Sequence, residues 1–216
     1  MLKLDNYSNY ILDDISLSVK GQNLIILGSN GCGKTTLAKA ISGLLDNSKL
    51  DTKLVNYIPT KLDIFDSFLS VKEFLDLSCL YGKRTIDEVC EILDISDLKE
   101  KNAKTLSSGE SQLVLLASAI LHSAKYTILD EPTSNLDPQK VKRVFRLLKD
   151  DTILNYKVII THNLDLAYKL GFDVTYIKDG KIDFSGTGQE FFAQDNLDKY
   201  FDKSVKNIDG NIVVSI

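Results

Sequence analysis

Gly28-Ser29-Asn30-Gly31-Cys32-Gly33-Lys34-Thr35 decides how the rest of this chain is read. The stretch fits the pattern G-x-x-x-x-G-K-[ST], and its flanks supply the context that pattern needs. Before it, Asn23 to Leu27 is a short apolar run stopped by Gly28, which reads as a buried strand; after it comes a helix-like segment. Glycines let backbone amides turn toward an anion, and a helix N-terminus adds positive potential. Lys34 has the reach for β and γ phosphates, and the Thr35 hydroxyl suits Mg2+.

Working outward, apolar runs alternate with helical patterns, which predicts an α/β domain with a largely parallel sheet. Upstream, Tyr10 to Val19 reads as strand material. From Ser70 to about Ser96 the apolar residues are Val71, Phe74 and Leu75, then Ile86, Val89, Cys90 and Leu93, which are helical spacings. Ser70 with Glu73, and Thr85 with Glu88, have the S/T-x-x-E form that satisfies free amides at a helix start. A helical insertion between two α/β halves is the expectation. Tyr126 to Leu129 and Val158 to Ile160 read as further strands, each followed by polar residues at the carboxyl edge, where ligands bind in such folds. Val174 to Phe184, centred on Asp179-Gly180, and Val205 to Val214, centred on Asp209-Gly210, read as hairpins.

Composition narrows the class. The 216 residues are 44% hydrophobic and 26% charged, with a formal net charge of −4 and no block of consecutive basic residues. Bulk attraction to nucleic acid is therefore not expected. Met1 to Tyr10 carries Asp5 and lacks an apolar core, so it does not read as a secretory signal. The longest charge-free stretch, Ser111 to Ala124, falls short of the roughly 20 apolar residues of a membrane span. The cysteines, Cys32, Cys79 and Cys90, form no close pair, which points to a reducing cytosol rather than a disulfide framework or thiolate metal site. Cys79 and Cys90 are expected as small core residues on helices.

A second acidic element fixes the kind of phosphate chemistry. Asp130 ends an apolar strand and Glu131 follows it. Asp130 can hold Mg2+ through its water shell, while Glu131 can polarise an attacking water. That pairing favours hydrolysis over phosphoryl transfer to another substrate.

With these elements in place the chain resembles the ATP-binding subunits of ABC transporters. Leu106-Ser107-Ser108-Gly109-Glu110 is similar to the family's signature LSGGQ or LSGGE, and Asp130-Glu131-Pro132-Thr133-Ser134 to its extended Walker B motif. Ser134-Asn135-Leu136-Asp137 resembles the D-loop, and Thr161-His162 the switch histidine after its strand. The resemblance covers nearly the whole chain. It implies a P-loop NTPase with a RecA-like parallel sheet core, an N-terminal antiparallel β subdomain, and a helical subdomain at about 62–108 inserted between phosphate loop and Walker B. All of this falls in a single nucleotide-binding domain over residues 1–216.

The resemblance also implies ATP and Mg2+ as cofactors and assigns roles. The nucleotide phosphates fall to Gly28, Ser29, Asn30, Gly31, Cys32, Gly33, Lys34, Thr35 and Thr36. Ser107, Ser108, Gly109 and Glu110 face the γ-phosphate held by the other subunit of a head-to-tail dimer, and Asp137 joins them as a nucleotide-contacting residue. Mg2+ falls to Thr35, Asp130 and Thr60, and catalysis to Glu131 and His162. Tyr7 is preferred over Tyr10 for stacking on adenine; Tyr10 also reads as an alternating core residue beside Leu12. From the residues alone, Ser107 and Glu110 form a capping box before Leu113 to Leu121, a reading compatible with the signature role. His122 matches no motif and reads as a surface or helix-end residue.

The expected partners are a separate transmembrane permease and a second copy of the chain or a related ATPase subunit, with no nucleic acid. The expected location is cytoplasmic, on the inner face of the membrane through the permease. Gly186 to Glu190, Asn196 to Phe201 and the hairpin at Asp209-Gly210 resemble the tail of ATPases that import iron chelates, haem and vitamin B12. A soluble ABC ATPase of iron-sulfur assembly and an exporter subunit are the alternatives. The chain departs from the family in several places. Thr60 follows Tyr57-Ile58-Pro59 where the family carries glutamine, and Ser108 replaces the first signature glycine. Ser111, Leu113 and Ser118 stand at usually basic positions after the signature, and the segment from Thr36 to Tyr57 is short.

Overall fold

A computed structural model describes residues 1–45, 51–61 and 69–214. Chain order begins with β1 (Leu2–Tyr7), β2 (Ile15–Val19), β3 (Leu24–Gly28), α1 (Lys34–Ile41) and β4 (Val55–Ile58). It continues through α2 (Val71–Asp76), α3 (Ile86–Leu93), α4 (Ser108–His122), β5 (Tyr126–Asp130), α5 (Pro138–Lys149) and β6 (Tyr156–Ile160). The remainder is α6 (Leu164–Leu170), β7 (Asp173–Lys178), β8 (Lys181–Gly186), α7 (Gly188–Phe191), α8 (Gln194–Phe201), β9 (Val205–Ile208) and β10 (Asn211–Val214). These form two compact units, one of Met1–Asp46 with Val158–Ile216 and one of Asn47–Lys157.

In the first unit, β1 and β2 pair antiparallel, Leu2 opposite Val19, with a register shift between Leu4 and Tyr7. β3 runs parallel to β6 on one side and to β7 on the other. Ile25, Ile26 and Leu27 are wholly buried, as befits a strand with neighbours on both edges. β8 returns antiparallel along β7 through Asp179-Gly180, whose φ values of 47° and 76° are those of a tight hairpin turn. Asp209-Gly210, at 49° and 77°, closes the β9–β10 hairpin in the same way. Both hairpins match the sequence expectation. The strand expected over Tyr10 to Val19 is shorter, because its first part is turned by a side chain. Asn9 Oδ1 accepts from the amides of Ile11 and Leu12, and Asp14 adopts φ 51°, so extended pairing starts only at Ile15.

In the second unit β4 and β5 are parallel, Val55 opposite Tyr126. Both capping boxes read in the sequence form: Ser70 Oγ accepts from the Glu73 amide while Glu73 accepts from the Ser70 amide, and Thr85 and Glu88 do the same. Described residues between Ser70 and Thr105 hold helices and one isolated bridge, Ser70 to Asn102. Residues 62–68, where the expected helical subdomain starts, and 46–50, inside the short segment after Thr36, lie outside the described residues. α4 is buried almost continuously from Gln112 to Leu121. The C-terminus of α3 is held by Arg143 of α5, which donates to the Leu93 carbonyl at 2.6 Å and to Asp94 Oδ2 at 2.7 Å. Cys90 is buried on α3 as expected, but Cys79 is not a core residue. α2 ends at Asp76, and Cys79 stands exposed in the turn beyond, its thiol donating to the Leu75 carbonyl.

The fold is thus α/β, with mostly parallel strands and an antiparallel N-terminal pair. No helix among the described residues is long and apolar enough to cross a membrane.

Candidate functional site

The predicted site residues divide between the two units. In the first, β3 ends at Gly28 and the loop to α1 wraps its own lysine. Lys34 is 8% exposed, and its ammonium donates to the carbonyls of Gly28 at 2.9 Å and Ser29 at 2.8 Å. Gly33 caps α1 at φ 105°, and a methyl there would meet Leu12 at 2.7 Å and Ile11 at 2.9 Å, so only glycine fits. Ser29, Asn30 and Gly31 are exposed, Cys32 is buried and Thr35 is exposed. Ile11, Ser29, Asn30, Gly31, Cys32, Asp179 and Gly180 line a cleft of about 370 Å3. The segment from Ile11 is pinned to the β7–β8 turn, the Asp13 amide donating to the Gly180 carbonyl at 3.0 Å.

β6 lies beside β3 with Ile160 opposite Ile26, so His162 and Gly28, each two residues farther on, stand at the carboxyl edge of adjacent strands. His162 is exposed, while Thr161 is buried and its amide donates to the Ile26 carbonyl. Asn163 caps α6, its Oδ1 accepting from the Leu166 amide. The two candidate tyrosines are unlike one another. Tyr7 is half-buried at the end of β1, opposite Ile15, and its hydroxyl accepts from Asn9 Nδ2. Tyr10 is 90% exposed, which overturns its reading as a core residue: the Asn9 turn breaks the alternation that would have pointed it inward.

In the second unit, Asp130 ends β5 at 3% exposure, and the Tyr57 hydroxyl donates to its Oδ2 at 3.0 Å. Burial, and then the charge of Asp130, push the Tyr57 phenol well above its ordinary range. Glu131 adopts φ 50°, a left-handed conformation rare outside glycine and asparagine, and its carbonyl accepts from the Ser134 amide. The chain leaves the strand there in a tight turn. Thr60 is half-buried two residues beyond β4.

Ser107 caps α4, accepting from the Glu110 amide, while the Ser107 amide donates to Glu110 Oε2 at 2.8 Å. Lys101 pairs with Glu110 Oε1 at 2.8 Å. The Lys101 hydrogen bond first, then those of Ser107, bring the Glu110 carboxyl down to about 2. Ser108 is exposed at the first turn. Gly109 is buried where the chain carrying Asn135 passes: a methyl on it would sit 3.0 Å from the Asn135 carbonyl oxygen. Asp137 caps α5, its Oδ1 accepting from the amides of Gln139 and Lys140 at 3.0 Å each. Its carboxyl lies below the usual range, chiefly through the Lys140 amide. His122 is the last residue of α4, and its Nε2 meets the Thr52 carbonyl at 2.6 Å, as a helix-end reading expects.

The first unit thus gathers the phosphate loop, Thr161 and His162, and the second gathers Asp130, Glu131, the signature and the D-loop. Three contributors were not read from the sequence: Tyr57 on Asp130, Lys101 on Glu110, and Ile11 with Gly180 beside the loop. Period-two alternation along β4 and β5 would have found Tyr57 once their register was known. Among the described residues no group of three or more His, Cys, Asp or Glu side chains forms a metal cluster. Taken separately, the Thr35 hydroxyl in the first unit and the Asp130 carboxylate in the second are each hard oxygen donors, the chemistry that Mg2+ takes.

Comparison with known proteins agrees with these features. The family pattern described as ABC transporter matches residues 12–134. The zinc import ATP-binding protein ZnuC of Vibrio vulnificus is 39% identical over 164 residues, covering 73% of this chain and 59% of ZnuC. The energy-coupling factor transporter ATP-binding protein EcfA1 of Thermotoga maritima is 28% identical over 210 residues, covering 87% of this chain and 80% of its own. Among solved structures, CbiO1 of Clostridium perfringens, part of the transporter complex CbiONQ, superposes with a TM-score of 0.72 at 24% identity. That match covers 93% of this chain and 95% of CbiO1.

Proposed function

This chain belongs to the ABC transporter family as an ATP-binding ATPase, and on that premise we propose that it binds Mg-ATP, dimerises head to tail and powers a separate membrane permease. The observation that carries the reading is the phosphate loop, closed around Lys34 at the carboxyl end of β3. Lys34 exchanges its two carbonyl partners for phosphate oxygens, and the amides of the loop from Gly28 to Thr36 complete the cradle. A bound Mg2+ would neutralise charge developing on the phosphates, and Thr35, Asp130 and Thr60 are the residues that would hold it.

Glu131 takes a proton from the attacking water, and His162, at the strand edge next to Gly28, donates to the γ-phosphate. Ser107, Ser108 and Gly109, at the N-terminus of α4, meet the γ-phosphate of the second copy, where helix-end amides favour an anion. Glu110 and Asp137 act at that face by holding the two helix starts through their caps. ATP then glues the two copies together, and hydrolysis weakens the contact. That difference in affinity is what does work on the permease.

The cargo class we favour is a metal ion or metal chelate moving inward, supported by the likeness to a protein named for zinc import. The chain then works at the cytoplasmic face, held to the membrane by its permease. Glu131→Gln should bind ATP, lose hydrolysis and accumulate as an ATP-dependent dimer in light scattering. Hydrolysis by that variant at the parent rate removes Glu131 from its role. A parent that neither binds nor hydrolyses ATP overturns the function itself.

A further inference from the structure

Tyr57, in the run that leads to Thr60, has no role assigned from the sequence, yet its hydroxyl reaches Asp130. β4 is parallel to β5 with Tyr57 opposite Ile128 and Ile58 opposite Leu129, so Tyr57, Ile128 and Asp130 share one face. From that face the Tyr57 hydroxyl crosses to Asp130 Oδ2, a contact 3.0 Å long between residues 73 apart in sequence. A phenylalanine would fill the same space and leave the carboxylate without this donor. An oriented hydrogen bond to one oxygen limits how the whole group can turn. Groups behind a metal-binding carboxylate commonly set its orientation and strength in this way.

We propose that Tyr57 is a positioning residue: its hydroxyl holds the Asp130 carboxylate in the orientation that grips the nucleotide-bound divalent cation. The inference rests on the function proposed above, in which Asp130 is a metal ligand. It also gives β4, the strand that leads to Thr60, a direct hold on the metal carboxylate.

The test uses the full chain, Mn2+ as the probe read by electron paramagnetic resonance, and a non-hydrolysable ATP analogue. Tyr57→Phe should weaken Mn2+ binding about ten-fold. Binding of ATP in EDTA and the thermal midpoint should match the parent, because neither needs an oriented metal ligand. Mn2+ binding equal to the parent overturns the proposal. So does a fall in EDTA-resistant ATP binding or in thermal midpoint large enough to accompany the loss of Mn2+, which marks a structural role. Asp130→Asn, measured alongside, should bind Mn2+ no better than Tyr57→Phe. A parent that holds no Mn2+ with the nucleotide overturns the proposed function, and the Tyr57 role falls with it.

Discussion

Tyr7 and Tyr10 show what a single residue's surroundings add to a motif. Sequence reasoning prefers Tyr7 for adenine, and Tyr7 turns out half-buried on β1 with its hydroxyl engaged by Asn9. Tyr10 adjoins Ile11, which lines the cleft at the phosphate loop, and it offers an almost fully exposed ring. A ring so exposed is open to stacking by a base. Tyr7 and Tyr10 thus remain two testable candidates for stacking, and the exposed ring of Tyr10 is the one we propose. Tyr10→Ala should raise the dissociation constant for ATP about ten-fold, the order expected for one base on one aromatic ring. Tyr7→Ala should change it less while lowering stability. The reverse ranking in a fluorescent-nucleotide titration returns the role to Tyr7. At this scale the phosphate loop was fully legible, because its chemistry depends on residues adjacent in sequence. The outward direction of Tyr10 was not, because an Asn9 side chain turns the segment.

Elements with local causes were read correctly. Capping boxes at Ser70, Thr85 and Ser107 need only a pair of residues three apart, and each formed around the helix expected. Both Asp-Gly hairpins follow from the left-handed backbone those residues tolerate. Cys79 was misplaced because the helix stops short of it, and helix ends are set by competing turn contacts. The start of α4 is held in part by charge, through Lys101 and the cap on Glu110. Glu110 is held at about 2 against an ordinary 4.5, so its folded value lies below its unfolded one. Its stabilisation is therefore complete above about pH 4.5 and disappears as pH falls toward 2. Both partners are partly exposed, which screens the pair, and a loss of about 1 kcal/mol is expected for Glu110→Gln at pH 7. Urea unfolding at pH 7 and near pH 3 checks this: the gap between variant and parent should narrow in acid. An unchanged gap would assign the effect to packing rather than charge.

The phosphate loop and the signature segment fall in different compact units of the chain, residues 28–35 in one and 106–110 in the other. Pairing of β4 with β5 was visible only as a topology class, since the contact between Tyr57 and Asp130 spans 73 residues and no local pattern encodes it. The proposed function turns, at this scale, on whether a loop is completed by the signature of another copy. In the proposed dimer, two-fold pairing would make each contact reciprocal, giving two equivalent composite sites. Lys34→Ala disables the loop, and Ser108→Arg blocks the signature at an exposed position that accepts the larger side chain without disturbing the core. Neither variant alone can form a working site. In a mixed dimer, one site combines both defects and the other combines two intact halves. An equal mixture, with half of its dimers mixed, should then recover about a quarter of the parent's ATPase sites. No recovery across a range of mixing ratios, with dimers present by light scattering, means that each chain completes its own site.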